Sequence, residues 1–458
     1  MNLLLPLLVL IVFIFIVWLS SRNWRKSVKF ALIIVVLEGA LRKWVLPQAS
    51  DLIYFLKDIV LLGAYLKFYS SSEPKYHGKA GFFTMTLFLC TGWCAFQIFN
   101  PSLGSPIVGL FGLKAYLFYI PLMWMIPTLF ESQEELYQFL RNYLLLVIPV
   151  AILAIAQFFS PTNSPLNVYA SGGVKQVATA GENVRVTGTF PYIAGYSTYM
   201  SFCFSLLIPL ISLPQPKKWQ IITFIEALLV TGTSFMTGAR GLLLFEILFL
   251  LGYFSLLWLT KPSKAIHNTK NFILPTLLIS AVVPVFFQKA IQAFYTRVTT
   301  ASDSGSFAER AFYPFTAPVA AMRFKGFDSY GIGATHPAIP ALRSALRIYS
   351  GEALPSSEGE TGRVVLEIGI FGFILWYALR LYLIISLLGM FLKLKTPFLR
   401  NLALAVFLFH TINLTGQLIF NTTFGVYYWF FSGFIFLFPQ LEYQQLLLYR
   451  NQLQQKHV

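Results

Sequence analysis

Acidic residues are scarce in this chain: 18 Asp and Glu stand against 34 Lys and Arg in 458 residues. Charged residues together make up 11%, where soluble domains carry about a quarter. Beside 57% hydrophobic residues, that deficit excludes a soluble fold. Cysteine is nearly missing too. Cys90 and Cys94 stand four apart in one apolar run and Cys203 lies in another, which excludes a disulfide framework and any zinc spacing. The five histidines are scattered singly, and no Walker loop occurs. The Gly-x-Gly of "GIGATH", Gly331 to His336, lacks the third glycine and the strand–helix context of a nucleotide site. No metal and no cofactor is expected. The net charge of +16 comes without an interleaved basic and aromatic patch, so no nucleic-acid partner is expected either.

What the chain has in abundance is apolar length. Runs of about twenty residues, enough for a helix to cross a hydrocarbon core of ~30 Å, recur along it. Spans are expected at Asn2–Ser20, Val28–Leu46, Leu52–Tyr69, Gly81–Phe99, Ile107–Phe130 and Tyr143–Phe159. Others follow at Tyr192–Leu213, Trp219–Met236, Leu242–Leu259, Phe272–Phe287, Val364–Phe391, Leu399–Phe420 and Phe424–Leu441. The fold class is therefore all-α, a polytopic transmembrane bundle of about thirteen spans, within a range of about twelve to fourteen. Residues 1–458 read as a single integral membrane domain.

The first run has no basic residue before it and no small-residue cleavage pattern after it, so it reads as a span and not as a signal peptide. Its basic flank, "SRNWRKSVK", follows it, which places the N-terminus outside and, with an odd count, the C-terminus in the cytoplasm. The short loops "KFYSSSEPKYHGK", "PQPKKW", "KPSKAIHNTK" and "KLKTPFLR" then fall on the cytoplasmic side. Two long segments, residues 160–191 and 288–362, fall outside. Segments of that length are usually functional. The larger contains a helix-compatible stretch, "AERAFYPFTAPVAAMRF", and reads as a partly ordered cap.

Charge inside such a chain needs a reason. Glu38 and Arg42 have the i,i+4 spacing of an ion pair, and Lys57 and Asp58 suit neutralisation across the bundle. Lys114 and Arg380 lie inside spans with no assigned role. Arg185, in "ENVRVTGTFPYIAGY", and Arg240, in "TSFMTGARGLLLF", are both expected at the external boundary. Two such guanidiniums would clamp a phosphate; the alternatives are a snorkelling anchor for Arg240 and a solvated loop charge for Arg185.

In "PSSEGETGRVVLEIGIFGF", Pro355 to Phe373, two carboxylates and an arginine precede an apolar helix. Together these features resemble the O-antigen ligase and O-antigen polymerase superfamily: an Arg before "GTF", a "TGAR-G" helix start, a long external loop, then charges ahead of Gly-x-x-Gly. The ligase branch has a histidine eleven residues before the first glycine of that motif. Here, counting back from Gly369 and Gly372, Glu358 holds the position.

The resemblance implies a C-type membrane glycosyltransferase of the bacterial cytoplasmic membrane, needing no metal and no nucleotide sugar. Its donor would be a polyprenyl-diphosphate-linked oligosaccharide and its acceptor a glycan, with chain-length regulator or flippase proteins as companions. Loss of the histidine favours a polymerase over a ligase. Arg185 and Arg240 would bind the diphosphate. Glu358 or Glu360 would serve as base, unless the two acids only cap the helix. Arg363, three and four residues from Glu360 and Glu367, would pair with one of them, and His336 is the rival base. A lipid-linked glycan transporter is the competing class, favoured by discontinuous helices with polar residues threading both halves of the membrane and weakened by polar clustering on the external side only.

Overall fold

The computed structural model of the chain describes residues 4–73, 81–170, 177–180, 182–260, 277–300, 307–325 and 328–456. Helix makes up 76% of it. The first helices are α1 (Leu4–Ser21), α2 (Trp24–Ala40), the single turn α3 (Ser50–Ile53), α4 (Leu56–Ser70) and α5 (Phe82–Phe96). Then come α6 (Pro106–Leu117), α7 (Leu122–Leu129), α8 (Gln133–Leu144) and α9 (Val147–Phe159). Two-residue strands β1 (Thr179–Ala180) and β2 (Asn183–Val184) pair antiparallel, Thr179 opposite Val184. After them run α10 (Ile193–Ile211), α11 (Lys217–Met236), α12 (Arg240–Thr260), α13 (Leu277–Phe286) and α14 (Gln288–Thr300). The last are α15 (Phe307–Lys325), α16 (Ile339–Ala345), α17 (Glu360–Lys393), α18 (Pro397–Ile412), α19 (Thr422–Ser432) and α20 (Phe434–Lys456).

Among the described residues, 8 helices are long and apolar enough to cross a bilayer: Phe82–Phe99, Pro106–Leu129, Gln133–Phe159, α10, α11, α12, α17 and Thr422–Leu448. The chain is an all-α, multi-pass membrane protein. Among the described residues a ninth is reached if α13 and α14, bent by 78°, count as one, and Leu7–Ser21 and Pro397–Ile412 are shorter apolar helices. The difference from thirteen expected spans has local causes. The runs Val28–Leu46 and Leu52–Tyr69 hold Glu38, Arg42, Lys43, Lys57 and Asp58, and their helices are cut short at a π turn, Leu41–Val45, and at Leu56. The run Leu399–Phe420 is helical only to Ile412. Residues 272–276 of the run Phe272–Phe287, and the basic loop "KPSKAIHNTK", lie outside the described residues.

The chain divides into two compact units, residues 1–75 with 128–300 and residues 76–127 with 301–458. In the first, α1 and α2 pack on α4, and α10 and α9 on α11. Some of its buried charges are ion-paired, while Lys43 and Glu246 are held by hydrogen bonds to neutral groups. Glu38 accepts from Lys57 at 2.7 Å and lies 3.5 Å from Arg42, and Glu226 of α11 lies 3.2 Å from Arg141 of α8.

The second unit is built around α17, against which α5, α15 and α18 pack. The helix-compatible stretch of the large loop is α15. Gly369 interrupts α17 with φ 69° and ψ 179°, a conformation essentially reserved for glycine. An unbroken helix would hold Glu360 and Arg380 about 30 Å apart, yet Glu360 Oε1 is 3.9 Å from Arg380 Nη1. The chain therefore folds back at Gly369, a short arm of residues 360–368 returning along a long arm of residues 370–393. Trp93 donates its indole N–H to the freed carbonyl of Ile368 at 2.7 Å, and the Tyr330 N–H satisfies that of Leu366 at 2.7 Å. The expected single span Val364–Phe391 is corrected accordingly: its first turns are the returning arm.

Candidate functional site

Arg185 and Arg240 belong to the first unit, and the structure brings their segments together. The last residue of α11, Met236, accepts a hydrogen bond from the Val186 N–H at 3.3 Å. The next, Thr237, accepts one from Arg185 Nε at 2.8 Å. Three residues on, Arg240 opens α12. The Arg185 strand is fixed from its other side by the "TGT" turn that follows it. Gln157 of α9, fully buried, accepts the N–H groups of Thr187 and Gly188 at 3.1 and 2.8 Å. Lys43 donates to Thr187 Oγ1 at 3.0 Å and to the Gly188 carbonyl at 2.7 Å. Both arginines are half-buried. Met236 also lines an apolar cavity of about 320 Å³, walled by Ile155, Phe159, Leu228, Val282 and Phe286.

The charges of the second unit have a different arrangement. The "GIGATH" segment is a loop buried inside the unit, with Ile332, Ala334 and Thr335 inaccessible. It fits because α6 has a glycine facing it: a Cβ on Gly112 would lie 2.3 Å from the Ile332 carbonyl oxygen. A buried loop must find partners for its backbone, and here side chains supply them. Asn100 Nδ2 donates to the Ser329 carbonyl at 2.9 Å. Glu367 Oε1 accepts both the N–H and the hydroxyl of Thr335, at 3.0 and 2.6 Å. Arg363 Nη1 donates to the carbonyl and the hydroxyl oxygen of the same threonine, at 3.1 and 2.8 Å, and its Nη2 donates to Ser357 O at 2.7 Å. Arg363 thus reaches Glu367 through Thr335 and not by direct pairing as the spacing suggests.

Glu360 and Arg380 hold a third segment, residues 413–421. The Ile419 N–H donates to Glu360 Oε1 at 3.1 Å, and Arg380 Nη2 donates to the Asn413 carbonyl at 2.7 Å. The second oxygen of Glu360 is buried without a hydrogen-bond partner among the described residues. Glu358 is exposed, and among the described residues its carboxylate makes no hydrogen bond or ion pair. Nor does it cap α17: the N-cap is Gly359, with no side-chain bond. Glu360 does stand in the first turn of α17, where a negative charge favours the helix dipole.

His336 packs edge-on to Phe111 at 4.8 Å and against Phe420 at 5.6 Å. Its Nδ1 accepts the Ala338 N–H at 3.1 Å. Burial, with Arg363 and Lys114 close by, pushes its pKa down to about 4. At neutral pH the ring is uncharged and its proton sits on Nε2, so it presents a donor.

No family model, curated protein or solved structure matches this chain. Among the described residues no group of three or more His, Cys, Asp or Glu is placed to hold a metal ion. Sequence reasoning did not single out Lys43, Gln157 or Thr335. An unbalanced lysine and a glutamine inside apolar runs were the available signals for the first two. Thr335 offered none.

Proposed function

We propose that the chain is a membrane glycosyltransferase of the O-antigen polymerase and ligase type, using a polyprenyl-diphosphate-linked oligosaccharide as donor and a glycan hydroxyl as acceptor. The observation that carries this reading is the hydrogen bond from Arg185 to Thr237. It puts two arginine-bearing segments side by side at a turn whose neighbouring residue, Met236, lines an apolar cavity. Two arginine-bearing segments that meet at a turn one residue from an apolar wall suit an amphiphile with a diphosphate head and an isoprenoid tail.

In the reaction, the bond between the anomeric carbon and the diphosphate oxygen breaks while the acceptor oxygen bonds to that carbon. The leaving diphosphate takes the electron pair, which Arg185 and Arg240 neutralise. The acceptor hydroxyl gives up its proton to a carboxylate. The resemblance offers Glu358 or Glu360, both in the second unit, for that role; the first is accessible, and the second is buried with one oxygen unpartnered among the described residues.

Purified protein reconstituted with a lipid-diphosphate oligosaccharide tests this directly. Polymer or transferred glycan should form, and R185A and R240A should each lower the rate by about 100-fold or more. E358Q and E360Q should differ, only one of them abolishing transfer. Unchanged rates in all four variants would remove the assignment. A transporter remains the second reading, because α17 reverses at Gly369 and α13 and α14 are sharply bent, the discontinuities that transport sites use. Donor moved across the bilayer unaltered is its signature.

A further inference from the structure

Phe287 completes the wall of the apolar cavity in the first unit, and the way its ring is seated fixes what stands beside that cavity. A Cβ on Gly232 of α11 would lie 2.4 Å from Phe287 Cζ, so the ring takes the place of a side chain on that helix. Phe287 is also where α13 gives way to α14, with the bend of 78°. Its N–H donates to the Val283 carbonyl at 2.8 Å, and its own carbonyl accepts from the Ile291 N–H at 3.0 Å, so both helices are tied to the seated residue. Beyond the bend, α14 packs on α11 and on β1, the partner of the strand that leads into Arg185.

Lys289 follows two residues after Phe287. It is exposed, and its Nζ lies 5.9 Å from the centroid of the Phe159 ring, another wall of the cavity. Arg185 approaches the same cavity through Thr237, the neighbour of Met236. The walls carry no hydroxyl, amide or charged side chain, so they suit hydrocarbon, and about 320 Å³ falls at the small end of ligand sites, ~300–1,000 Å³. Phe159, Met236 and Phe286 are the last residues of α9, α11 and α13. A cavity placed where three apolar helices end lies at the level where a lipid's hydrocarbon gives way to its head group.

We propose that Lys289 is a third binding residue for the lipid-linked donor, its ammonium meeting the phosphate head while the hydrocarbon nearest that head fills the cavity. The identity of the lipid, a polyprenyl phosphate, rests on the donor reading above. The pairing of an ammonium with an apolar cavity does not, and it involves neither Glu358 nor Glu360.

Native mass spectrometry of the full-length protein in detergent micelles, with undecaprenyl phosphate as the probe, measures binding without any transfer. The lipid should be retained, and K289E should weaken its binding by about 10-fold. L228W, which fills the cavity from α11, should weaken it as well. K218E makes the same charge change near the other end of α11, about 27 Å from Met236 along the helix, and should leave binding unchanged. No retention of the probe overturns the proposal, and so does equal binding in K289E or in L228W, or an equal loss in K218E. Full displacement by an equimolar amount of phosphatidylglycerol overturns it too, since the occupant is then a bilayer phospholipid. Failure of the glycosyl-transfer reading looks different: binding stays sensitive to K289E while no glycan is transferred.

Discussion

His336 shows how one residue reports on its surroundings. It is half-buried and packs against Phe111 and Phe420, and its burial, then the charges of Arg363 and Lys114, disfavour a proton on the ring. Its folded pKa of about 4 lies below the ordinary 6.5. Between those values the unfolded chain binds more protons than the folded one, so stability rises with pH. The contribution is complete above about 6.5, declines as pH falls, and is gone below about 4; it amounts to at most about 3 kcal/mol. Unfolding midpoints measured from pH 4 to pH 7 should therefore climb, and H336Q should flatten that climb. Equal slopes in the two proteins would mean that burial and those charges do not act on the ring.

At the level of elements, the helical hairpin of α17 depends on a single backbone conformation. Gly369→Ala places a Cβ where φ is 69° and ψ 179°, so it should destabilise the protein by about 1–3 kcal/mol. Gly389, in the long arm of the same helix, has open space where its Cβ would go, and G389A should cost nothing or stabilise slightly. Denaturation of the two variants under one set of conditions checks the contrast; similar losses in both would rule out the reversal. Parts of this element were legible in the sequence. The apolar runs located α5, α6, α10, α11, α12 and the long arm of α17, because a membrane span is written in consecutive residues. The Glu38–Arg42 pair was legible because its partners are four apart. Gly-x-x-Gly reads equally as close helix packing or as a break, and only the 3.9 Å approach of Glu360 to Arg380 decides between them. The partners of Thr335 lie 28 and 32 residues away, beyond any local pattern. The same holds for Lys43 and Gln157, which fix the Arg185 segment from 144 and 30 residues off.

The whole molecule is assembled from two interleaved pieces, and this has a consequence for how it can be cut. Residues 76–127 are inserted in sequence between the two parts of the first unit, but their packing partners come from residues 301–458. Helix α5, which carries Cys90 and Cys94, packs on α17, and Trp93 bonds to Ile368. Cys203, on α10, is enclosed by the first unit. All three thiols are fully buried in the intact chain, so none should react with N-ethylmaleimide in detergent micelles until the protein unfolds. A chain ending at residue 300 keeps both parts of the first unit and deprives α5 of its partners. In that fragment Cys90 and Cys94 should become alkylated while Cys203 stays protected, as mass spectrometry of the labelled protein would show. Protection of all three would mean that α5 is held by the first unit instead. Labelling of all three would mean that the first unit needs the second in order to fold.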